Sequence, residues 1–222
     1  MARSAPRQPS QQREGRVRIV LIGGGGHCRS CIDAIHSAGK EIAGVVDPDP
    51  AASPAGLPRL GDDSWLDSPD ALNFCFLITV GQIGISPVRR DLFESLRSKK
   101  CRMATVSSRS AVVSDEATLE PGTIVLHGAI VNTGAAVGSN CIVNTGAIVE
   151  HDARIGDHCH ISTGAIINGG AEIGPGCMIG SGASILQGVK IAADVMVGAG
   201  AVVIRDISDA GTWIGVPARR FA

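Results

Sequence analysis

Aromatic side chains are almost missing: they make up 3% of the 222 residues, with four Phe, two Trp and no Tyr. Rings supply the bulk of wide cores, so a narrow interior of aliphatic and small residues is expected. Charge is sparse and balanced, 20 Lys and Arg against 21 Asp and Glu, which excludes the basic patch that a nucleic-acid partner needs. No apolar run reaches the length of a membrane span, and the N-terminus lacks the pattern of a signal peptide. A cytoplasmic protein is expected. The seven cysteines show no secreted disulfide framework. Cys28-x-x-Cys31 looks like a redox or metal pair, but no second pair accompanies it and it falls in an expected helix.

What the chain has in abundance is repetition. From Ala111 it can be cut in sixes without a break: AVVSDE, ATLEPG, TIVLHG, AIVNTG, and so on through CHISTG and CMIGSG to AVVIRD. The third position is Val, Ile or Leu in all sixteen units, the first is Ala, Cys, Thr or Val, and the last three collect Gly, Asn, Asp and Ser. Alternation along a strand puts positions one and three inward and position two outward, while Gly, Asn, Asp and Ser make the turns. A period of six with short strands and turns reads as a parallel β-helix of three units per coil, a left-handed one. Cys141, Cys159 and Cys177 fall at first positions one coil apart, as buried thiols.

Position two sorts by face. One column stacks Val112, Ile130, Ile148, Ile166, Ser184 and Val202; the next Thr118, Ala136, Arg154, Glu172 and Lys190; the third Ile124, Ile142, His160, Met178 and Met196. Only the middle column suits water. Two outward apolar faces are too much for a monomer, and two different faces in contact close most simply as a three-subunit ring. A homotrimer is expected.

Ahead of the repeats, residues 1–16 read as a disordered tail and residues 17–106 as a small parallel α/β sheet, with residues 107–222 forming the prism and a terminal segment. Strands are expected over Val17–Gly23, Ile42–Val46, Ala71–Val80 and Cys101–Val106. Helices are expected from about Cys28 to Ala38 and over Pro87–Ser98, the latter with Val88, Leu92, Phe93 and Leu96 inward. Asp47–Gly61 reads as a Pro-rich loop. The run Gly23-Gly24-Gly25-Gly26-His27 joins the first strand to the first helix, where backbone N–H groups can meet a phosphate. The dinucleotide fingerprint is incomplete, because its third glycine is Cys28. Asp47, at the end of the second strand, suits a hydroxyl or base contact, or else merely starts the loop.

One turn of the prism departs from its neighbours: Glu150-His151-Asp152. An adjacent carboxylate can orient an imidazole as a base. One coil later stand Asn168-Gly169-Gly170, so Gly169 should stack above His151 and offer an amide N–H where an oxyanion would develop. The plain alternative is a surface histidine in a charged turn. His160 lies on the third column and would enter a groove between chains, or else serve as an interface histidine; His158 reads as a solvent turn residue. A zinc hydratase would need three converging histidines, and His151, His158 and His160 are badly spaced for it. No metal is expected.

The repeats resemble the hexapeptide-repeat acyltransferases. More narrowly, GGGGH, NTGAIVEHD, IGDHCHIS and the terminal GVPAR resemble the bacterial nucleotide-sugar N-acetyltransferases that act on 4-amino-4,6-dideoxy sugars, and the related sialic acid O-acetyltransferases. The likeness covers nearly the whole chain beyond the tail. It implies transfer from acetyl-CoA to a nucleotide-linked amine, with a sialic acid hydroxyl as the alternative acceptor. It implies His151 as base, Asp152 as its orienter and Gly169 facing the thioester oxygen. His160, Ser181, Gly215, Pro217, Ala218 and Arg219 would lie beside the coenzyme. Gly25, Gly26, His27, Asp47, Gly81 and Asn144 would lie beside the nucleotide sugar. Pro48 and the stretch Gly81-Gln82 to Pro87 depart from the family pattern, and they leave uridine, guanosine and thymidine open as the base.

Overall fold

The computed structural model describes residues 18–221; the expected tail lies outside them. The first part is a five-stranded, wholly parallel sheet in the order β3-β2-β1-β4-β5, made by β1 (Ile19–Ile22), β2 (Ile42–Val46), β3 (Arg59–Gly61), β4 (Cys75–Ile78) and β5 (Arg102–Met103). A parallel sheet needs cover on both faces, and alternation in β1 supplies apolar side chains to each. Ile19 and Leu21 meet Cys28, Cys31, Ile32 and Ile35 of helix α1 (Gly26–Ser37). Val20 and Ile22 meet Phe93 and Leu96 of helix α2 (Val88–Ser98). Both thiols of the Cys28-x-x-Cys31 pair are thus core groups, and burial pushes the Cys31 thiol up to about 12.

Sixteen units of the repeat form sixteen strands, from Val112–Val113 to Val202–Val203, each beginning at position two of its unit except Val195–Val197, which begins at position one. They stack in three parallel sheets, and the outward columns are in the expected register, such as Ile130 beside Ile148 beside Ile166. This is the left-handed parallel β-helix. Its interior is the aliphatic of position three alternating with the small residue of position one, and Cys141, Cys159 and Cys177 occupy one such column. The backbone N–H of Cys159 lies 3.4 Å from the Cys141 sulfur. Gly211–Ile214 and Arg219–Arg220 form a hairpin that extends the third sheet at its far end.

Four expectations need correction. Residues Pro69–Asn73 form a 3₁₀ turn, so the strand expected over Ala71–Val80 shortens to Cys75–Ile78; Pro69 and the caps on Ser68 start a turn rather than a ladder. The strand expected over Cys101–Val106 divides. Arg102–Met103 completes the first sheet, whereas Val106–Ser107 pairs with Ile124–Val125 of the prism. The Pro-rich loop carries β3, which pairs with β2. Finally, the third outward column is not free. Ile124 and Ile142 are fully buried against α1 of the same chain, so the argument for two open apolar faces holds only for the first column, where Val112 remains 63% exposed.

Candidate functional site

His151 stands at the corner between the first and second faces. Its Nδ1 lies 3.0 Å from Asp152 Oδ2. A carboxylate only accepts, so Nδ1 carries the proton and Nε2 is left with its lone pair. Asp152 adopts a left-handed backbone (φ 59°), which turns its carboxylate back beside the imidazole. Above the ring, a Cβ placed on Gly169 would sit 2.5 Å from Nε2 and 2.6 Å from Cε1. The imidazole therefore occupies the space a side chain at 169 would need, and only glycine fits there. The Gly169 carbonyl accepts from Gly188 N, while its amide has no acceptor among the described residues. A lone-pair nitrogen and an amide without an acceptor thus lie at one corner, where Gly169 is buried and His151 keeps 52% of its side-chain surface.

At the other edge of the first face, a second group is assembled. His160 is 6% exposed. Its Nδ1 donates to the carbonyl of Gln82 at 3.1 Å, which leaves Nε2 to accept from Asn144 Nδ2 at 3.0 Å. Both nitrogens are engaged, and burial, reinforced by the Arg89 charge, lowers the ring to about 4 despite the Gln82 bond. Gln82 belongs to the loop after β4. The neighbouring Gly81 lies against His27, whose Cβ is 3.2 Å from where a Gly81 Cβ would be. His27 is also lowered to about 4, first by burial and then by Arg89 and His160. Its Nε2 is buried without a partner.

His27 opens α1 just after the glycine turn. Gly23 (φ 97°) allows two strand ends to approach: a Cβ there would meet Val80 Cγ2 at 2.5 Å. The Gly24 amide donates to Asp47 Oδ2 at 2.6 Å, and Asp47 Oδ1 accepts from Asp49 N. Gly25 and Gly26 have nothing within 4 Å of a hypothetical Cβ. The first turn of α1, with no side-chain cap, therefore presents bare backbone N–H groups to solvent, as an anion needs.

The remaining candidates follow this division. Asn144 and Ser181 lie along the same corner, with Ser181 bonded to Ser162 at 3.1 Å. Gly215, Pro217 and Arg219 lie at the hairpin beyond the last coil, where Ala218 N donates to Val202 O. Within one chain, the structure thus brings together His151, Asp152 and Gly169 at one corner. Asn144, His160, Gly81 and His27 meet at the other.

His158 is not a solvent residue. Its side chain is 13% exposed, its ring meets Phe93 edge-on at 5.4 Å, and its Nδ1 accepts from Asn140 Nδ2 at 3.0 Å. Helix α2 turns Arg89, Phe93 and Leu96 inward, leaving Val88 exposed. Arg89 went unnoticed in the sequence although it shares the i, i+4, i+7 stripe of Phe93 and Leu96, which was its one signal.

Among the described residues no helix is long and apolar enough to cross a membrane, and no three His, Cys, Asp or Glu side chains are placed to hold a metal ion. The chain matches a model of the PglD N-terminal domain over residues 18–96, and one of the bacterial transferase hexapeptide (six repeats) over residues 170–205. No curated protein matches by sequence. Among solved structures, PerB from Caulobacter crescentus, in complex with CoA and GDP-perosamine, is 36% identical over 92% of this chain and 97% of its own (TM-score 0.85). A histidine-to-asparagine variant of perosamine N-acetyltransferase from Caulobacter crescentus, with the same two ligands, is 35% identical over the same shares (TM-score 0.87). The acetyltransferase domain of PglB from Neisseria gonorrhoeae FA1090, in complex with acetyl coenzyme A, is 30% identical over 93% of this chain and 100% of its own (TM-score 0.87).

Proposed function

This chain belongs to the nucleotide-sugar N-acetyltransferase family of hexapeptide-repeat enzymes, and from that premise we propose that it moves an acetyl group from acetyl-CoA to the amine of a nucleotide-linked amino-dideoxy sugar. The amine nitrogen attacks the thioester carbonyl carbon as His151 Nε2 takes one of its protons. The oxyanion that forms is met by the Gly169 amide. Its collapse expels the thiol sulfur, which leaves as CoA with the proton returned from the imidazolium. Asp152 holds the ring in the tautomer that leaves Nε2 basic.

The observation that carries this reading is the His151–Gly169 stack, because an imidazole nitrogen and the residue whose amide has no acceptor are packed together at one corner. Around it we place acetyl-CoA beside His160, Ser181 and the terminal hairpin with Gly215, Pro217 and Arg219. The nucleotide sugar is placed beside Gly25, Gly26, His27, Asp47, Gly81 and Asn144. Residues 17–106 are assigned to the acceptor and residues 107–222 to the transfer, in a cytoplasmic enzyme.

The same reading supplies a reason for a trimer. His151 and the Asn144–His160 pair lie at opposite edges of the first face, so one chain does not hold both in one groove. Abutting the first face of one chain on its neighbour in a closed ring would bring the two corners together, and the partly exposed column Ile130, Ile148, Ile166 would be covered. GDP-perosamine in complex with PerB makes a GDP-linked 4-amino sugar the first acceptor to try. The test is a screen of UDP-, GDP- and dTDP-linked amino sugars with acetyl-CoA, following thiol release. Acetylation of one nucleotide-linked amine is expected. Acetylation of a sialic acid hydroxyl alone, or of none of these, would contradict the proposal.

A further inference from the structure

Arg89 is 3% exposed, and no carboxylate among the described residues pairs with it. A guanidinium taken out of water without a counter-ion is costly, and a methionine would fill the same space without that cost. Burial brings its ordinarily very high pKa down to about 10, still charged at neutral pH. So expensive a group must do something that packing cannot.

Its bonds say what. Arg89 Nη1 donates to the carbonyls of Ile78 and Val80, both at 2.8 Å, and Nη2 donates to Asn140 Oδ1 at 2.8 Å and Asn140 O at 3.3 Å. Asn140 answers by donating from Nδ2 to the Arg89 carbonyl at 3.1 Å. Ile78 ends β4, and Val80 is the last residue before Gly81-Gln82. Asn140 belongs to the prism. One planar fork therefore ties the root of a loop on the sheet to a corner of the β-helix. That loop is the one whose Gly81 rests on His27 and whose Gln82 carbonyl receives the His160 proton.

We infer that Arg89 is a positioning residue: its guanidinium fixes the acceptor-binding edge of the sheet against the prism, so that the loop Gly81–Gln82 meets His27 and His160 at the same time. It touches neither substrate and acts through the loop. The inference rests on the acetyltransferase reading, in which the acceptor is bound by the sheet and the acetyl donor by the prism. A residue that sets the distance between them governs the rate and not the affinity of either half. A planar fork with several donors in fixed directions suits this task, and a lysine does not replace it.

The test uses the full-length protein with Arg89→Met and Arg89→Lys. We expect kcat for the nucleotide-linked amine to fall roughly 100-fold in both, the size of loss that a 1 Å misplacement causes. Affinities for CoA and for GDP, each titrated alone, should stay within about threefold, a modest change next to the loss in rate. Asn140→Gly, which suits the left-handed backbone at that position (φ 54°) and spares the bonds to the strand carbonyls, makes the same test should the Arg89 variants not fold. Adding Arg89→Met to Asn140→Gly should lower kcat little further, since the two residues act as one unit. A wild-type rate in Arg89→Met, full rescue by Arg89→Lys, or loss of CoA binding in step with the rate would each overturn the inference. A wild type that acetylates no nucleotide-linked amine would instead remove the reading beneath it, and the inference with it.

Discussion

Two corners of one prism carry histidines, and they are built in opposite ways. His151 keeps half its side chain in solvent, one nitrogen on a carboxylate and the other bare beneath Gly169. His160 is buried, both nitrogens are bonded, and its ring is held neutral down to about pH 4. A base must be free to take a proton and reach water to lose it. A binding group gains from having no freedom at all. The contrast lies in environment rather than residue type, and it is the ground on which we propose the two roles.

The sharpest way to break the contrast is to remove the exposed ring. General-base help is worth about 10²–10⁴ in rate, so His151→Ala should lower kcat by that order while acetyl-CoA KM changes little. Raising the pH frees the amine in solution, and the variant should then recover part of its rate. Steady-state kinetics across pH check both.

Next in size is Gly169→Ala. Its Cβ would stand 2.5 Å from His151 Nε2, so the ring must swing away. Roughly a 100-fold loss in kcat is expected, with the melting temperature scarcely changed because the site is an outer corner. Kinetics together with calorimetry separate the two effects.

The buried corner should show itself in acid. His27 and His160 have folded pKa values of about 4 against an ordinary 6.5. The unfolded chain therefore takes up protons first as pH falls. The stability these groups allow is complete above pH 6.5 and declines between 6.5 and 4, by about 3 kcal/mol per group. Urea unfolding at pH 7.5 and pH 5 measures the decline. In His160→Gln the slope over that window should shrink. The smallest effect is His160→Ala at pH 7.5. Removing the ring that we place beside the coenzyme should raise acetyl-CoA KM about tenfold with kcat nearly intact.

How legible these corners were follows the same division. The prism could be read residue by residue because its period ties each side chain to a face, and the columns Ile130–Ile148–Ile166 and His160–Met178 fell where the arithmetic put them. The stacking of Gly169 over His151 came from the same count of eighteen. What the period could not give was anything reaching the prism from outside it. Ile124 and Ile142 follow the repeat as faithfully as Ile148, yet α1 covers them, and nothing in a hexad says which outward column another element will choose. His158 likewise sits in a turn that looks solvated until Phe93 closes over it. In the sheet, Arg89 was hidden by its charge. A helical stripe is read from apolar residues, and a buried cation satisfied by carbonyls is invisible to that rule.

Central to the account is that the two corners meet in one active site across a boundary between chains. The measurement that tests this most directly is complementation. His151→Ala chains and chains carrying Asn144→Ala with His160→Ala are each assayed alone, then mixed in equal amounts, unfolded and refolded together. If each site draws His151 from one chain and Asn144 and His160 from its neighbour, about one site in four of a closed ring is intact. The mixture should then show roughly a quarter of the wild-type rate at acetyl-CoA well below the wild-type KM, where sites altered at Asn144 and His160 are slow. A mixture no more active than its two components would place both corners in the same chain's site, or in no common site, and would contradict the account.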